Sequence, residues 1–260
     1  MKPSKLFLPV FIAIAILGSS CQEDDSLENG IHSGKLKRII TRVSTTASSS
    51  SVSEYVYDEE GRISKVSLST YEGEEIVKLF NYDLYTYNSQ GQLEGIQHFS
   101  ANNNSPSGFI SLINYTYAYS NDGKKEKEHR EYPQLSSSDY SLFKYENDVL
   151  SIIEKYEKDS DELEYYILNK YNDSGNLVRE TKFSRDSTPF WYEQHSFENG
   201  LNVRTDVFGY PGLEPVETHL KEIIKTYDEN NNLAIRELRE LYPFNSGFSR
   251  FKYYSYEYYE

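Results

Sequence analysis

Tyr55-Val-Tyr-Asp-Glu-Glu-Gly-Arg-Ile63 is the stretch from which the fold can be read. Asp58 suits the first position of a type I turn, because its carboxylate can accept a hydrogen bond from backbone two residues on. Glu59 and Glu60 fill the centre, and Gly61 supplies the left-handed conformation that a G1 bulge needs. Asp58 then stands opposite Arg62 and Tyr57 opposite Ile63. An aromatic facing a β-branched residue across two strands contributes roughly 0.2–1 kcal/mol. The stretch predicts a β-hairpin.

The same chemistry returns along the chain. Tyr85-Thr-Tyr-Asn-Ser-Gln-Gly-Gln-Leu93, Tyr117-Ala-Tyr-Ser-Asn-Asp-Gly123, Lys170-Tyr-Asn-Asp-Ser-Gly-Asn-Leu177 and Thr226-Tyr-Asp-Glu-Asn-Asn-Asn-Leu233 keep the turn. Asn231 replaces the glycine and is among the side chains that best tolerate positive φ. Two units are shortened to two-residue turns, Asn199-Gly200 and the weaker Asn147-Asp148. The anchor aromatics are Tyr57, Tyr87, Tyr119, Tyr145, Tyr171, Phe197 and Tyr227, spaced 26 to 32 residues apart. Gly34-Lys-Leu-Lys-Arg-Ile39 reads as the second half of an eighth unit whose first half is missing. A period of this length marks a repeat architecture. Two strands per unit give about fifteen strands in an all-β antiparallel meander. Strands aromatic on both faces, such as Phe251-Lys-Tyr-Tyr-Ser-Tyr-Glu-Tyr-Tyr-Glu260, point to a large twisted, curled sheet that can close in a barrel-like way. Loops are expected at 44–51, 101–108, 133–139 and 210–215. Pro215–Lys225 is the one stretch with a helical alternative, although a strand from Leu220 fits the repeat.

This Y-D-x-x-G-x-L pattern resembles the YD/RHS repeats and the YD-like surface lipoproteins of Bacteroidota, over nearly all of residues 34–260. Only Tyr57-Asp58 and Tyr227-Asp228 keep the literal pair, and Arg62 alone keeps the arginine of the fuller motif. The resemblance implies an architecture and leaves activity open.

Composition agrees with a folded β protein. The chain has 260 residues, 37% of them apolar and 15% aromatic, with 25 Tyr. That is too apolar for disorder, and tyrosine favours strands. A net charge of −14 excludes the basic footprint of a nucleic-acid binder.

The N-terminus reads as an address. Lys2 and Lys5 precede twelve apolar residues, Leu6–Leu17, too few for a spanning helix and suited to a signal peptide. Leu17-Gly-Ser-Ser-Cys21 resembles a bacterial lipobox, with Ser20 where Gly or Ala is commoner. Cys21 is the only cysteine of the chain. The acidic run Gln22-Glu-Asp-Asp25 resembles the surface-export signal of Bacteroidota lipoproteins. The expected organisation is therefore a cleaved signal at 1–20, an acylated Cys21 with an acidic linker over 21–33, and a repeat domain over 34–260. The lipid would attach the protein to the outer membrane, facing the cell surface. Asp25-Ser26-Leu27 and Asp186-Ser187-Thr188 resemble O-glycosylation acceptors of that phylum, at Ser26 and Ser187.

Catalytic chemistry has no sequence signature here. The five histidines lack metal-ligand spacing, and neither a P-loop, a G-x-S-x-G elbow nor a dinucleotide fingerprint occurs. No cofactor, metal or catalytic residue is expected. Lys124–Glu131, of mixed charge, reads as an exposed edge or face. Phe190-Trp191-Tyr192 is the candidate stacking platform, with Trp191 on one face of its strand and Phe190 and Tyr192 on the other. The expected function is a non-catalytic binding or scaffolding module. Polysaccharide or an outer-membrane protein is the expected partner, and a glycan-binding accessory to polysaccharide uptake is the alternative.

Overall fold

The computed structural model of the chain describes residues 35–42, 49–72, 75–158, 160–210, 217–240 and 250–258. Sixteen strands run in chain order. They are β1 (Leu36–Arg42), β2 (Ser49–Tyr57), β3 (Ile63–Glu72), β4 (Glu75–Tyr87), β5 (Leu93–Ala101), β6 (Phe109–Tyr119), β7 (Lys125–Tyr132) and β8 (Ser137–Glu146). There follow β9 (Val149–Glu157), β10 (Leu163–Tyr171), β11 (Leu177–Ser184), β12 (Pro189–Glu198), β13 (Leu201–Gly209), β14 (Thr218–Tyr227), β15 (Leu233–Glu240) and β16 (Arg250–Tyr258). Each strand pairs antiparallel with its chain neighbours, and β16 pairs with β1, so the meander closes into a barrel. The expected all-β meander is present with one strand more than the repeat count suggested.

The turns form as their side chains dictate. The Gly61 amide donates to the Asp58 carbonyl at 3.0 Å, the Asp58 amide to the Arg62 carbonyl at 2.8 Å, and Gly61 has φ +82°. The Asp58 carboxylate accepts from the Arg62 amide at 2.8 Å. Asn231 takes φ +62° in the unit that lacks the glycine. In the two shortened units Asn147, Asp148, Asn199 and Gly200 all have positive φ, as a type I′ turn requires. Just before each anchor the register slips, as between Val56 and Tyr57 and between Thr86 and Tyr87. A β-bulge therefore recurs beside the turns and strengthens local twist.

The missing half-unit is supplied by the C-terminus. Tyr258 pairs with Leu36 across β16 and β1, as Tyr57 pairs with Ile63 within the first complete hairpin. The same slip follows, between Leu36 and Arg38. The ring thus holds eight equivalent units, one of them split between the chain's two ends.

Register fixes the barrel's geometry. Within a hairpin, Tyr85 faces Ile96; across the next boundary Ile96 faces Tyr115, which lies four residues before its own anchor rather than two. Every boundary between units repeats this two-residue step, including β15 to β16 (Arg236 to Tyr254) and β1 to β2 (Ile39 to Ser53). Eight steps of two residues give a stagger equal to the strand number. That equality tilts strands by about 36°, and a circular barrel of this kind is about 30 Å across between backbones. Membrane barrels of this strand number enclose a water-filled lumen, whereas inner-wall residues here, among them Ile113, Thr205 and Ile223, are buried.

Several boundaries differ from expectation. Thr218–Tyr227 is a strand, so the helical alternative for Pro215–Lys225 is not realised over its described part. β2 starts at Ser49 and β8 at Ser137, which shortens the loops expected at 44–51 and 133–139. Lys124–Glu131 lies almost wholly in β7, which is paired on both sides, so of the expected edge or face it is a face.

Candidate functional site

The two faces of the wall are chemically different. Away from the strand ends, side chains in phase with the anchors are half-buried or buried, whereas the opposite phase mixes buried Val52 and Tyr192 with exposed Val56 (49%), Leu168 (36%) and Ile235 (47%). The anchor phase is therefore the inner wall.

At the turn end the inner wall is a ring of aromatic anchors. The stagger carries each anchor past the last ladder pair with the preceding unit, and its hydroxyl takes over. Tyr57 donates to the Leu36 carbonyl at 2.7 Å, Tyr87 to Ile63 at 2.8 Å, Tyr119 to Leu93 at 2.9 Å and Tyr145 to Lys125 at 3.0 Å. Tyr171 bonds Leu150 at 2.9 Å, Tyr227 bonds Asn202 at 2.8 Å and Tyr258 bonds Leu233 at 3.1 Å. Phe197 holds the one anchor position without a hydroxyl. In three units a cation caps the next ring: Arg62, after the turn Gly61, lies 4.5 Å from the Tyr87 centroid, and Lys35 and Lys124 lie 5.3 and 5.7 Å from those of Tyr57 and Tyr145. This is the physical role of the motif's arginine, and lysine fills it in two further units.

Further from the turns the inner wall carries charge among tyrosines. Asp139 accepts from Arg130 Nε at 2.8 Å, from the Tyr132 hydroxyl at 2.9 Å and from the Lys155 ammonium. Lys155 is only 2% exposed, and burial, with repulsion from Arg130, pushes its ammonium down to about 7. The Lys182 ammonium sits 3.4 Å from the Tyr165 ring centroid. Beyond this network, at the end opposite the repeat turns, a cavity of about 630 Å³ is lined by Tyr132, Ser137, Asp139, Glu157, Glu164 and Arg185, among others. His98 Nδ1 meets Asp83 at 2.5 Å on the same wall.

Two like-charged pairs stand directly opposite one another across adjacent strands of the inner wall: Glu180 with Glu193, and Lys225 with Arg236. Burial raises Glu180 to about 7, with help from Glu193. Burial raises Glu193 too, against the pull of Arg236, Lys221 and Lys225. Burial and Arg236 together lower Lys225. His195, on the same wall, is pushed down to about 4 by burial and then Lys225, and so is neutral near pH 7. Among the described residues no three metal-ligating groups converge.

The outer wall is built differently. Aromatic pairs stack across strands, Tyr82 on Phe99 at 4.8 Å, Tyr140 on Tyr156 at 5.1 Å and Tyr166 on Phe183 at 5.1 Å. Between them run ion pairs: Arg38 with Glu54, Lys144 with Glu154, Arg204 with Asp206 and Glu222, and Arg239 with Glu222 and Glu237. A lipid-facing barrel wall is an apolar band about 25 Å tall, on which an Arg or Lys at mid-depth costs about 2–4 kcal/mol. This wall carries charge on β1, β2, β8, β9, β13, β14 and β15, so it is made for water.

The candidate platform is divided. Trp191 pairs with Lys182 and Gly209 and lies on the inner wall, half-buried. Tyr192 points outward, 5% exposed, stacked on Phe208 at 4.8 Å with the Arg179 guanidinium 3.7 Å from its ring centroid. Phe190 falls in the register slip between Lys182 and Phe183, which leaves it without a ladder partner on β11 and 49% exposed, while its carbonyl accepts from the Tyr210 amide at 3.1 Å and the Lys182 ammonium lies 6.0 Å from its ring centroid. Strict alternation therefore does not hold at that residue. Ser187, exposed in the turn before β12, has φ +66° and accepts a hydrogen bond from the Tyr166 hydroxyl at 2.9 Å. Cys21 and Ser26 lie outside the described residues. The charged pairs of the inner wall were not picked out from sequence. The signal was only partial: Glu193 and Lys225 lie four and two residues before their anchors, whereas Glu180 and Arg236 lie nine residues after theirs, beyond the bulge, and the facing strand is set by register.

No family model matches the chain, and no curated protein matches it. Among solved structures it is similar to a porin-like protein from Bacteroides uniformis, with a TM-score of 0.56 at 11% identity over 86% of this chain and 98% of that one. This shows a shared barrel fold. A TcdB2-TccC3-Cdc42 structure also aligns, with a TM-score of 0.32 at 14% identity over 81% of this chain and 12% of that one. A likeness that low carries no argument.

Proposed function

We propose that this protein is a non-catalytic binding module of the outer membrane, held by a lipid on Cys21, whose barrel interior takes up a polysaccharide segment. The observation that carries this reading is the contrast between the walls. The outer wall is closed off by ion pairs and stacked rings. The inner wall instead offers tyrosine faces beside charged and amide side chains, the combination that grips the apolar faces and hydroxyls of a sugar. Charge on the outer wall supports a tether rather than insertion of the barrel into lipid. β1 begins at the repeat-turn end, and the cavity lies at the opposite end of the barrel.

The test is calorimetry of the mature chain, with Cys21→Ala to remove the lipid, against neutral and acidic polysaccharides. Saturable binding to at least one polymer, without release of reducing ends, is the expected result. Heat-silent mixing with the whole panel would contradict the glycan reading, and release of reducing ends would contradict the non-catalytic one.

A further inference from the structure

Glu180 faces Glu193 and Lys225 faces Arg236 on one concave surface, with β13 between the two pairs. Like charges placed directly opposite destabilise a sheet, and burial adds to the cost. Among the described residues no ion pair within 4 Å joins either carboxylate to either cation. The inner residues of β13 beside them, Thr205 and Val207, are uncharged.

A second observation concerns hydrogen bonding. Arg236 is 8% exposed, yet its Nε has no hydrogen-bond partner. Asn169 Oδ1, on the strand position facing Glu180, and Asn202 Oδ1, on β13, are also buried without partners. Three polar atoms in and beside the two like-charged pairs thus lack hydrogen-bond partners. The Arg236 guanidinium stands 5.0 Å from the Tyr254 ring centroid. Two further cations share this wall: Lys221 lies opposite Glu240, and Lys182 sits against the Tyr165 ring.

We propose that the inner wall across β11–β15 is a binding site for a zwitterionic sugar, an amino sugar that also bears a sulfate or carboxylate. Lys225 and Arg236 take the oxyanion, Glu180 and Glu193 take the ammonium, and Asn202 bonds hydroxyls between them. One such ligand satisfies both pairs at once, whereas a neutral sugar leaves each pair facing its own repulsion. The site deepens the reading of the barrel interior given above and rests on it.

Four matched monosaccharides test it on the unmodified wall: glucosamine 6-sulfate, N-acetylglucosamine 6-sulfate, glucosamine and N-acetylglucosamine. The expected order has glucosamine 6-sulfate at least tenfold tighter than either singly charged sugar, and N-acetylglucosamine weakest. Arg236→Gln should remove the preference for sulfate and leave that for the ammonium. Glu180→Gln should do the reverse. Dissociation constants within twofold of one another for all four sugars would overturn the proposal, as would a sulfate preference that survives in folded Arg236→Gln. If a variant fails to fold, the four-sugar comparison on the parent decides alone. Equal affinities alongside binding in the polysaccharide panel would sink only this inference; absence of binding in both would sink the reading beneath it as well.

Discussion

Phe197 is the natural experiment among the anchors. Seven of the eight positions put a tyrosine hydroxyl on a carbonyl of the preceding unit, at 2.7–3.1 Å. Phe197→Tyr should complete the ring by donating to the Leu177 carbonyl. A net hydrogen bond contributes about 1 kcal/mol, so urea denaturation should show a rise of that order, and Tyr87→Phe a similar loss. Glu180 gives a pH-dependent counterpart. Its folded pKa, about 7, lies above its ordinary carboxylate value, so the folded state disfavours its ionised form. Its contribution is therefore lost as pH rises through the range between the two values. Relative to the parent, Glu180→Gln should gain stability between pH 5 and pH 8, on the order of 2 kcal/mol, measured as the difference in unfolding free energy. The aromatic anchors were legible in the sequence because each sits beside its own turn. The acceptors of their hydroxyls were not, because those lie in the neighbouring unit and depend on the stagger. The same limit hid the role of Lys35 and Lys124, which lie over rings more than twenty residues away.

At the scale of the element, turn chemistry is local and was read correctly throughout. Gly175 has φ +80° with open space where a Cβ would go. Gly175→Ala should therefore cost only the backbone term, about 1–2 kcal/mol, seen as a lower thermal midpoint with the fold kept. β14 shows where local sequence leaves two answers open, a helix or a strand from Leu220. Pro215–Lys225 has apolar spacing compatible with one turn of helix, yet Thr205 faces Ile223 and Lys225 faces Arg236 in the ladder. Two waiting neighbours override a weak local preference. β7 illustrates the same point from the other side. A mixed-charge stretch looks like an edge, yet β6 and β8 pair it on both sides, so that Glu128 and Arg130 line the interior and Lys127, His129 and Glu131 face outward.

Closure is a property of the whole molecule. The half-unit at the N-terminus signalled that something was missing; only the pairing of β16 with β1 shows that the chain supplies it from its other end. The ladder places Ile40 opposite Ser255. With Cys21→Ala, the double variant Ile40→Cys/Ser255→Cys should form an intramolecular disulfide, seen as faster non-reducing migration of the monomer. It should also raise the thermal midpoint, since it closes a loop of nearly the whole domain. Disulfide-linked oligomers in place of the monomer would indicate an open seam. Sixteen strands, an equal stagger and a charged exterior together make the barrel whose interior is proposed above as the recognition surface. The most direct measurement of that claim is calorimetry of the best-bound polysaccharide against Trp191→Ala, an inner-wall aromatic, and Tyr166→Ala, an outer-wall one. Affinity should fall at least fivefold for Trp191→Ala and stay unchanged for Tyr166→Ala. The opposite pattern would place the ligand on the outside of the barrel and contradict the account.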